Sequence, residues 1–323
     1  RTSTFTSKTI LIFMKIIQFI FFTLFLITQN NFSQDYTQYV DPFIGTDYHG
    51  HTYPGATVPF GIVQLSPDNG RSGWDWSSGY HYSDSLIVGF SHTHLSGTGI
   101  GDLCDIQFMP ASFPNNISDE EIVKQKFISK FDHNNEKASV GYYSVLLKDY
   151  NISSELTAAL RSGLQKHTFK KDGKEFIQLD LAYSKNWDMP IDTFIKIVDD
   201  HTICGYRYST GWAKDQRVYF HTQFSKPIAK SFLIHDSVYL KDRKEIKGKY
   251  SRAIFQFDLK TNSELLIKTG ISSVSFENAK LNLENDIKDW SFDKVKSGAE
   301  KEWNKQLSKI EIKSSNKSYL KTF

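Results

Sequence analysis

Arg217-Val-Tyr-Phe-His-Thr-Gln-Phe224 carries the reading of the fold. Aromatic and β-branched residues dominate it, it holds no glycine or proline, and Ser-Lys-Pro follows as a break. Runs of the same kind recur on both sides: Gly61–Leu65 (GIVQL), Leu86–Phe90 (LIVGF), Tyr142–Leu147 (YYSVLL), Phe176–Leu181 (FIQLDL), Ala253–Leu259 (AIFQFDL) and Leu265–Thr269 (LLIKT). Short strands separated by Asp-Gly, Asn or Pro signals predict a mainly β fold, a large antiparallel β-sandwich, rather than βαβ units. The character changes near Asn278. Trp290, Val295, Ala299, Trp303, Leu307 and Ile310 recur at helical spacing among Lys and Glu, which predicts an amphipathic linker helix over Asp286–Ile310. Such a helix must bury its stripe, either on the sandwich or in a helical domain that follows.

Composition narrows the classes. The 323 residues are 39% hydrophobic, 15% aromatic and 23% charged, with a mean hydropathy of -0.41. These values exclude a disordered tail, a collagen-like repeat and a polytopic membrane protein. The formal charge of +3 resides in the leader: Arg1, Lys8 and Lys15 precede the first acid, Asp35, and the rest balances 36 basic against 36 acidic residues. A neutral body gives no electrostatic footprint for nucleic acid.

The chain opens on Arg1, and translation is expected to start at Met14. From there one positive residue, an apolar run over Ile16–Ile27 and a polar stretch have the layout of a secretory signal peptide. The organisation expected is a leader over 1–34, a β-sandwich domain over 36–273 and a helical linker over 278–323. Secretion or a periplasmic location follows from the leader. The end at Tyr319–Phe323 reads as cut rather than finished. Cys104 and Cys204 are too few for a disulfide framework or a cysteine-based zinc site, and their spacing does not decide whether they pair.

Candidate chemistry concentrates in one segment. His49, His51, His81, His92 and His94 are half of the ten histidines, and eleven of the nineteen glycines fall between Gly45 and Gly101. Trp74, Trp76, Tyr80 and Tyr82 lie there with Asp47, Asp68, Asp75, Asp84 and Asp102. Glycine lets backbone approach a ligand, and indoles beside hydroxyl-reading acids and histidines suit a sugar ring. The pairs His49-x-His51 and His92-x-His94 could each present two imidazoles on one face of a strand. No H-E-x-x-H or cysteine pair accompanies them, so no metal ligand is assigned. A G-x-S-x-G elbow is absent, and Gly97-Thr-Gly-Ile-Gly101 matches neither a P-loop nor a dinucleotide fingerprint.

At these residues the sequence resembles glycoside hydrolase family 92, the α-mannosidases. The resemblance lies in Tyr39–Gly45 (YVDPFIG), Gly50–Gly61 (GHTYPGATVPFG), Gln64–Asp68 (QLSPD), Ser78–Asp84 (SGYHYSD) and Gly89–Gly99 (GFSHTHLSGTG), then Gly101–Asp105 (GDLCD) and Met109-Pro110. It continues more weakly through Glu155–Ala158, Arg161-Ser-Gly163, Gly205-Tyr-Arg207, Gly211-Trp212, Phe224–Pro227, Gly270–Ser273 and Trp303-Asn304. The resemblance implies a β-sandwich (a supersandwich), a helical linker and a C-terminal (α/α)6 barrel. It implies a calcium-dependent exo-α-mannosidase that inverts the anomeric centre of mannose-rich N-glycans or mannan. The acid and base would lie in the barrel, so no catalytic residue is assigned here, and calcium would be bound mainly there. Trp74 and Trp76 would touch sugar, and His49, His51, His92 and His94 would shape the cleft. Two alternatives stand beside this reading: a non-catalytic carbohydrate-binding sandwich, and a metalloprotein built on His92 and His94.

Overall fold

The computed structural model describes residues 14–18 and 35–322. Residues 14–18 are helical with exposed side chains and belong to a unit apart from Tyr36–Phe323. The rest of the expected leader lies outside the described residues. Among the described residues no helix is long and apolar enough to cross a membrane.

Nineteen strands run from Ala56 to Ser272. In chain order they are β1 (Ala56–Thr57), β2 (Gln64–Asp68), β3 (Leu86–Ile87), β4 (Gly89–Ser91), β5 (Gln107–Phe113), β6 (Ser129–Lys130), β7 (Glu136–Ser139), β8 (Tyr142–Leu147), β9 (Ile152–Ala158) and β10 (Ser162–Phe169). Then come β11 (Lys174–Asp180), β12 (Met189–Ile197), β13 (Thr202–Thr210), β14 (Gln216–Phe224), β15 (Lys230–His235), β16 (Val238–Leu240), β17 (Glu245–Gly248), β18 (Ser251–Phe257) and β19 (Ser263–Ser272). An eight-stranded sheet has the order β1-β2-β4-β5-β11-β18-β15-β16, and a nine-stranded sheet the order β17-β12-β13-β14-β19-β10-β9-β8-β7. β3 and β6 form a small ladder of their own. The pairing is antiparallel throughout, for example Tyr143 opposite Leu156 and Cys204 opposite His221.

Alternation explains the packing. Along β8, Tyr143, Val145 and Leu147 point into the core while Tyr142, Ser144 and Leu146 stay half-buried on the other face. Both sheets contribute to one core, with Phe90, Phe108, Phe176 and Phe255 from the first facing Leu156, Phe220 and Ile267 from the second. The mainly β sandwich expected from the sequence is the observed architecture.

The helical region differs from the single helix expected over Asp286–Ile310. After the four-residue α1 (Asp119–Ile122), the helices are α2 (Phe276–Asp286), α3 (Phe292–Leu307) and α4 (Lys317–Thr322). Ser275 caps α2 by accepting from the Asn278 backbone N–H at 3.2 Å. α2 ends because Asp286 turns to Arg161, accepting from its backbone N at 2.7 Å and from its guanidinium at 2.8 Å. Ile287 then leaves the helical conformation to join Leu164, Leu283 and Phe292 in a second apolar cluster. Trp290 falls in the break and lies over the Lys268 ammonium at 4.6 Å. The apolar stripe therefore begins at Phe292 and continues through Val295, Ala299 and Trp303, while Ile310 lies beyond α3, 60% exposed. Trp303 Nε1 donates to the Thr57 carbonyl at 2.7 Å, which fastens α3 to the sandwich.

Candidate functional site

Three loops of the glycine-rich segment meet around Trp74. The chain at Tyr48 and His51 takes left-handed backbone (φ 48° and 54°), and this turn brings both histidines beside the short 3-10 turn Trp74–Trp76. The His51 and Trp74 rings cross edge-on with centroids 4.2 Å apart, and the His49 ring is tilted 5.1 Å away. His49 Nδ1 lies 2.6 Å from Asp75 Oδ1, whereas His51 Nε2 is 3.9 Å from the same oxygen and makes no hydrogen bond. Burial pushes His51 below the ordinary histidine range, only partly offset by the Asp75 charge. The third loop contributes Gly99, whose φ of +65° and position require glycine. A Cβ there would stand 2.6 Å from Trp74 Nε1. The indole is thus braced by the two imidazoles and by bare backbone at Gly99, and it remains 55% exposed.

This arrangement has the parts of a sugar subsite. An exposed aromatic face covers C–H groups and Asp75 keeps an oxygen to accept from a hydroxyl, while His51, 7% exposed with its Nε2 shut off from solvent, supports the indole. Trp76 belongs to the frame rather than the exposed face. It is half-buried, its Nε1 donates to Asp84 Oδ2 at 3.1 Å and its ring lies tilted against His81 with centroids 4.7 Å apart.

The other His-x-His pair sits elsewhere, which corrects the expectation that its members line the cleft. His92 is fully buried between the sheets, with Nδ1 donating to the Ile106 carbonyl at 2.7 Å and the ring against Phe108. Burial lowers it to about 4, so the ring is neutral at physiological pH. His94 is also interior: Nδ1 lies 2.7 Å from the Gln64 carbonyl oxygen and Nε2 3.0 Å from Asp68 Oδ1. Both rings hold the loop after β4 and have no surface to offer a substrate. Gly79, with φ +88°, leaves the room that His94 needs, since a Cβ there would stand 2.7 Å from His94 and 2.8 Å from Asp68.

Asp68, His94 and Cys104 are the one group among the described residues whose metal-ligating atoms lie within 4.8 Å of one another. Calcium takes about six to eight oxygen ligands, and this group offers a single carboxylate with a nitrogen and a sulfur. It does not suit calcium. Its donors are also committed, because Asp68 Oδ2 accepts from Gln107 Nε2 at 2.8 Å and burial raises the Cys104 thiol well above its ordinary value. Cys104 and Cys204 are both free thiols.

Residues that the segment's composition did not single out hold the site in place. Arg207 on β13 is fully buried and donates to Asp105 Oδ1 at 2.7 Å, to Asp188, and to the carbonyls of Leu181 and Tyr183. Burial opposes its charge, but Asp105 and Asp188 outweigh that and hold the guanidinium protonated. Asn186 bonds Gly73 from both ends, accepting from its N–H at 2.8 Å and donating to its carbonyl at 3.0 Å. Asp102 accepts from the backbone of Trp212 and Ala213 at 3.0 and 2.8 Å. Arg207 and Trp212 each follow a glycine by one or two residues, within the weaker resemblance motifs Gly205-Tyr-Arg207 and Gly211-Trp212.

The chain matches known proteins along its length. The model of the glycosyl hydrolase family 92 N-terminal domain matches residues 39–272, and that of the family's catalytic domain matches residues 278–323. A family 92 α-mannosidase from Bacteroides thetaiotaomicron, also solved with mannoimidazole, superposes with a TM-score of 0.82 at 34% identity, covering 90% of this chain and 40% of that one. A family 92 inverting mannosidase from Bacteroides thetaiotaomicron VPI-5482 gives 0.76 at 26%, over 90% of this chain and 38% of that one. An uncharacterized secreted glycosidase of Arthroderma benhamiae is 26% identical over 87% of this chain and 39% of its own length. The chain thus spans about two fifths of the length of these relatives. With the N-terminal domain model matched from the first quoted motif to the last strand, the chain belongs to glycosyl hydrolase family 92.

Proposed function

We propose that these residues form the substrate-facing sandwich of an exported, exo-acting α-mannosidase that removes terminal mannose from N-glycans or mannan with inversion. The observation that carries this reading is the exposed Trp74 indole, braced by His49, His51 and Gly99 beside the Asp75 carboxylate. Support comes from relatives described as an α-mannosidase solved with mannoimidazole, an inverting mannosidase and a secreted glycosidase.

In this reading Trp74 covers one face of the sugar while Asp75, with the exposed His49 bonded to it, reads hydroxyls. Inversion calls for an acid and a base about 6.5–9.5 Å apart with a water between them. We assign that pair, and the calcium expected of the family, to the (α/α)6 catalytic domain that the helical linker leads into. That domain is the partner of this sandwich, and residues 36–323 by themselves are expected to be inactive.

The test is mannose release from α-linked mannobiose, with calcium and then with a chelator, by residues 35–323 and by the longest reading frame that contains them. Calcium-dependent release by the longer protein alone supports the reading. Release by residues 35–323 overturns the placement of the acid and base. Release by neither, with binding of mannosides retained, favours a non-catalytic carbohydrate-binding sandwich.

A further inference from the structure

Three of the six tryptophans, Trp74, Trp187 and Trp212, are 55%, 46% and 69% exposed. They come from distant parts of the sequence, yet one short segment, residues 99–102, ties their loops together. Gly99 abuts the Trp74 indole. Gly101 abuts the side chain of Asn186, which also clamps Gly73, so the residue before Trp187 is bonded to the residue before Trp74. Asp102 accepts from the backbone N–H of Trp212 itself at 3.0 Å. The three indoles therefore stand at one end of the sandwich on loops that share their anchors.

These loops are held stiffly. Asp188, next to Trp187, is buried and paired with Arg207, and Arg207 also holds Asp105. Gly211, next to Trp212, packs against the Asp102 carboxylate so closely that a Cβ would stand 2.3 Å from it. Yet among the described residues neither the Trp187 nor the Trp212 indole has a ring, cation or hydrogen-bond partner, unlike Trp74, Trp76, Trp290 and Trp303. Rigid loops that present bare indoles are prepaid in entropy for a ligand. Separate rings on distinct loops, with polar Asn186 next to Trp187 and Lys214 and Asp215 shortly after Trp212 in sequence, match a chain of sugar rings better than one continuous apolar partner surface.

We propose that Trp187 and Trp212 are outer subsites for the third and later sugars of a mannose-containing oligosaccharide whose terminal residue sits at Trp74. This rests on the mannoside reading of the Trp74 site. The consequence is preference for longer chains, set by two residues that touch neither the terminal sugar nor the reacting bond.

The experiment compares mannobiose with linear α-mannotetraose in the longest reading frame carrying this chain, with Trp187→Ala, Trp212→Ala, the double variant, and Trp187→Tyr and Trp212→Tyr as rescues that keep a stacking ring. Each Ala variant should raise KM for mannotetraose roughly 3–10-fold. The kcat and all constants for mannobiose should stay as in the parent, and the Tyr variants should recover most of the loss. Circular dichroism and the melting temperature should not move, since both side chains are exposed. A double variant that keeps the parent's mannotetraose-to-mannobiose ratio overturns the outer subsites and leaves the Trp74 reading intact. A parent that releases no mannose from either substrate overturns the mannoside reading and this inference with it.

Discussion

The guanidinium of Arg207 lies 2.7 Å from Asp105 Oδ1, and both side chains are shut off from solvent. The second oxygen of Asp105 accepts from Thr93 Oγ1 and from Gln216 Nε2, each at 2.7 Å. One buried cation on β13 therefore fixes the segment between His92 and Ile106 that supplies Gly99, Gly101 and Asp102 to the site. Removing one member of a buried pair costs about 3–5 kcal/mol, because its partners are left charged and unpaired. Arg207→Ala should lose stability of that order in urea unfolding. Arg207→Lys should not restore it, since an ammonium cannot span Asp105, Asp188 and two carbonyls at once. A loss below about 1 kcal/mol in Arg207→Ala would show that the cluster relaxes and does not fix the loop.

Gly97 and Gly99 offer a matched pair of substitutions. Both have left-handed backbone, at φ +71° and +65°, but a Cβ at Gly97 meets nothing within 4 Å while one at Gly99 meets Trp74. Alanine at either position should cost about 1–2 kcal/mol of backbone strain. Only Gly99→Ala should also shift the intrinsic tryptophan fluorescence and weaken mannoside turnover in the longer protein. Equal spectra for the two variants would mean that Gly99 does not brace the indole.

Buried groups of opposite sign act on stability over the same pH window, with the two histidines outweighing the one glutamate below about 6.5. Burial raises Glu175 to about 7 from an ordinary 4.5, with Ser112 pulling the other way, so the fold favours its protonated form. That contribution is fully present below 4.5 and is lost as pH rises through about 7. Burial lowers His92 to about 4 and His167 to about 3 from 6.5, so below 6.5 the unfolded chain takes up protons that the fold refuses. Their contribution falls as pH drops from 6.5 towards those values. Glu175→Gln should unfold at higher denaturant than the parent at pH 8 and match it near pH 4. A parent and variant whose stabilities run parallel from pH 4.5 to 7 would remove Glu175 as a contributor.

The seam between α3 and the sandwich rests partly on the Trp303 indole N–H. Trp303→Phe keeps the aromatic body and loses the bond to Thr57, which should cost about 0.5–1.5 kcal/mol. Trp303→Ala should cost more, because α3 also loses its largest half-buried ring. Hydrogen exchange across residues 292–307 should rise in Trp303→Ala while β10 and β19 keep their protection. Uniform exchange in both regions would mean that α3 and the sheet open as one unit.

The sandwich was legible because alternation is local. Tyr142–Leu147 shows its inward and outward residues in order, and the structure keeps those bounds. The helical region was legible only in its stripe. Asp286 ends α2 by reaching Arg161, a residue far along the chain, and no periodicity encodes that contact. The two His-x-His pairs looked equivalent as text. Left-handed backbone at Tyr48 and His51 sets the first against Trp74, with His49 exposed and His51 buried, whereas the other follows β4 into the interior.

By itself the sequence determined the class of the fold, the segment in which chemistry collects and the family resemblance, since each depends on residue type and short spacing. Tertiary structure decided which aromatic and imidazole groups reach solvent and which are consumed as internal bonds. It also decided that Trp187 and Trp212 join Trp74 at one end. Those outcomes depend on pairings such as Arg207 with Asp105 and Asn186 with Gly73, which form only when strands distant in sequence lie side by side.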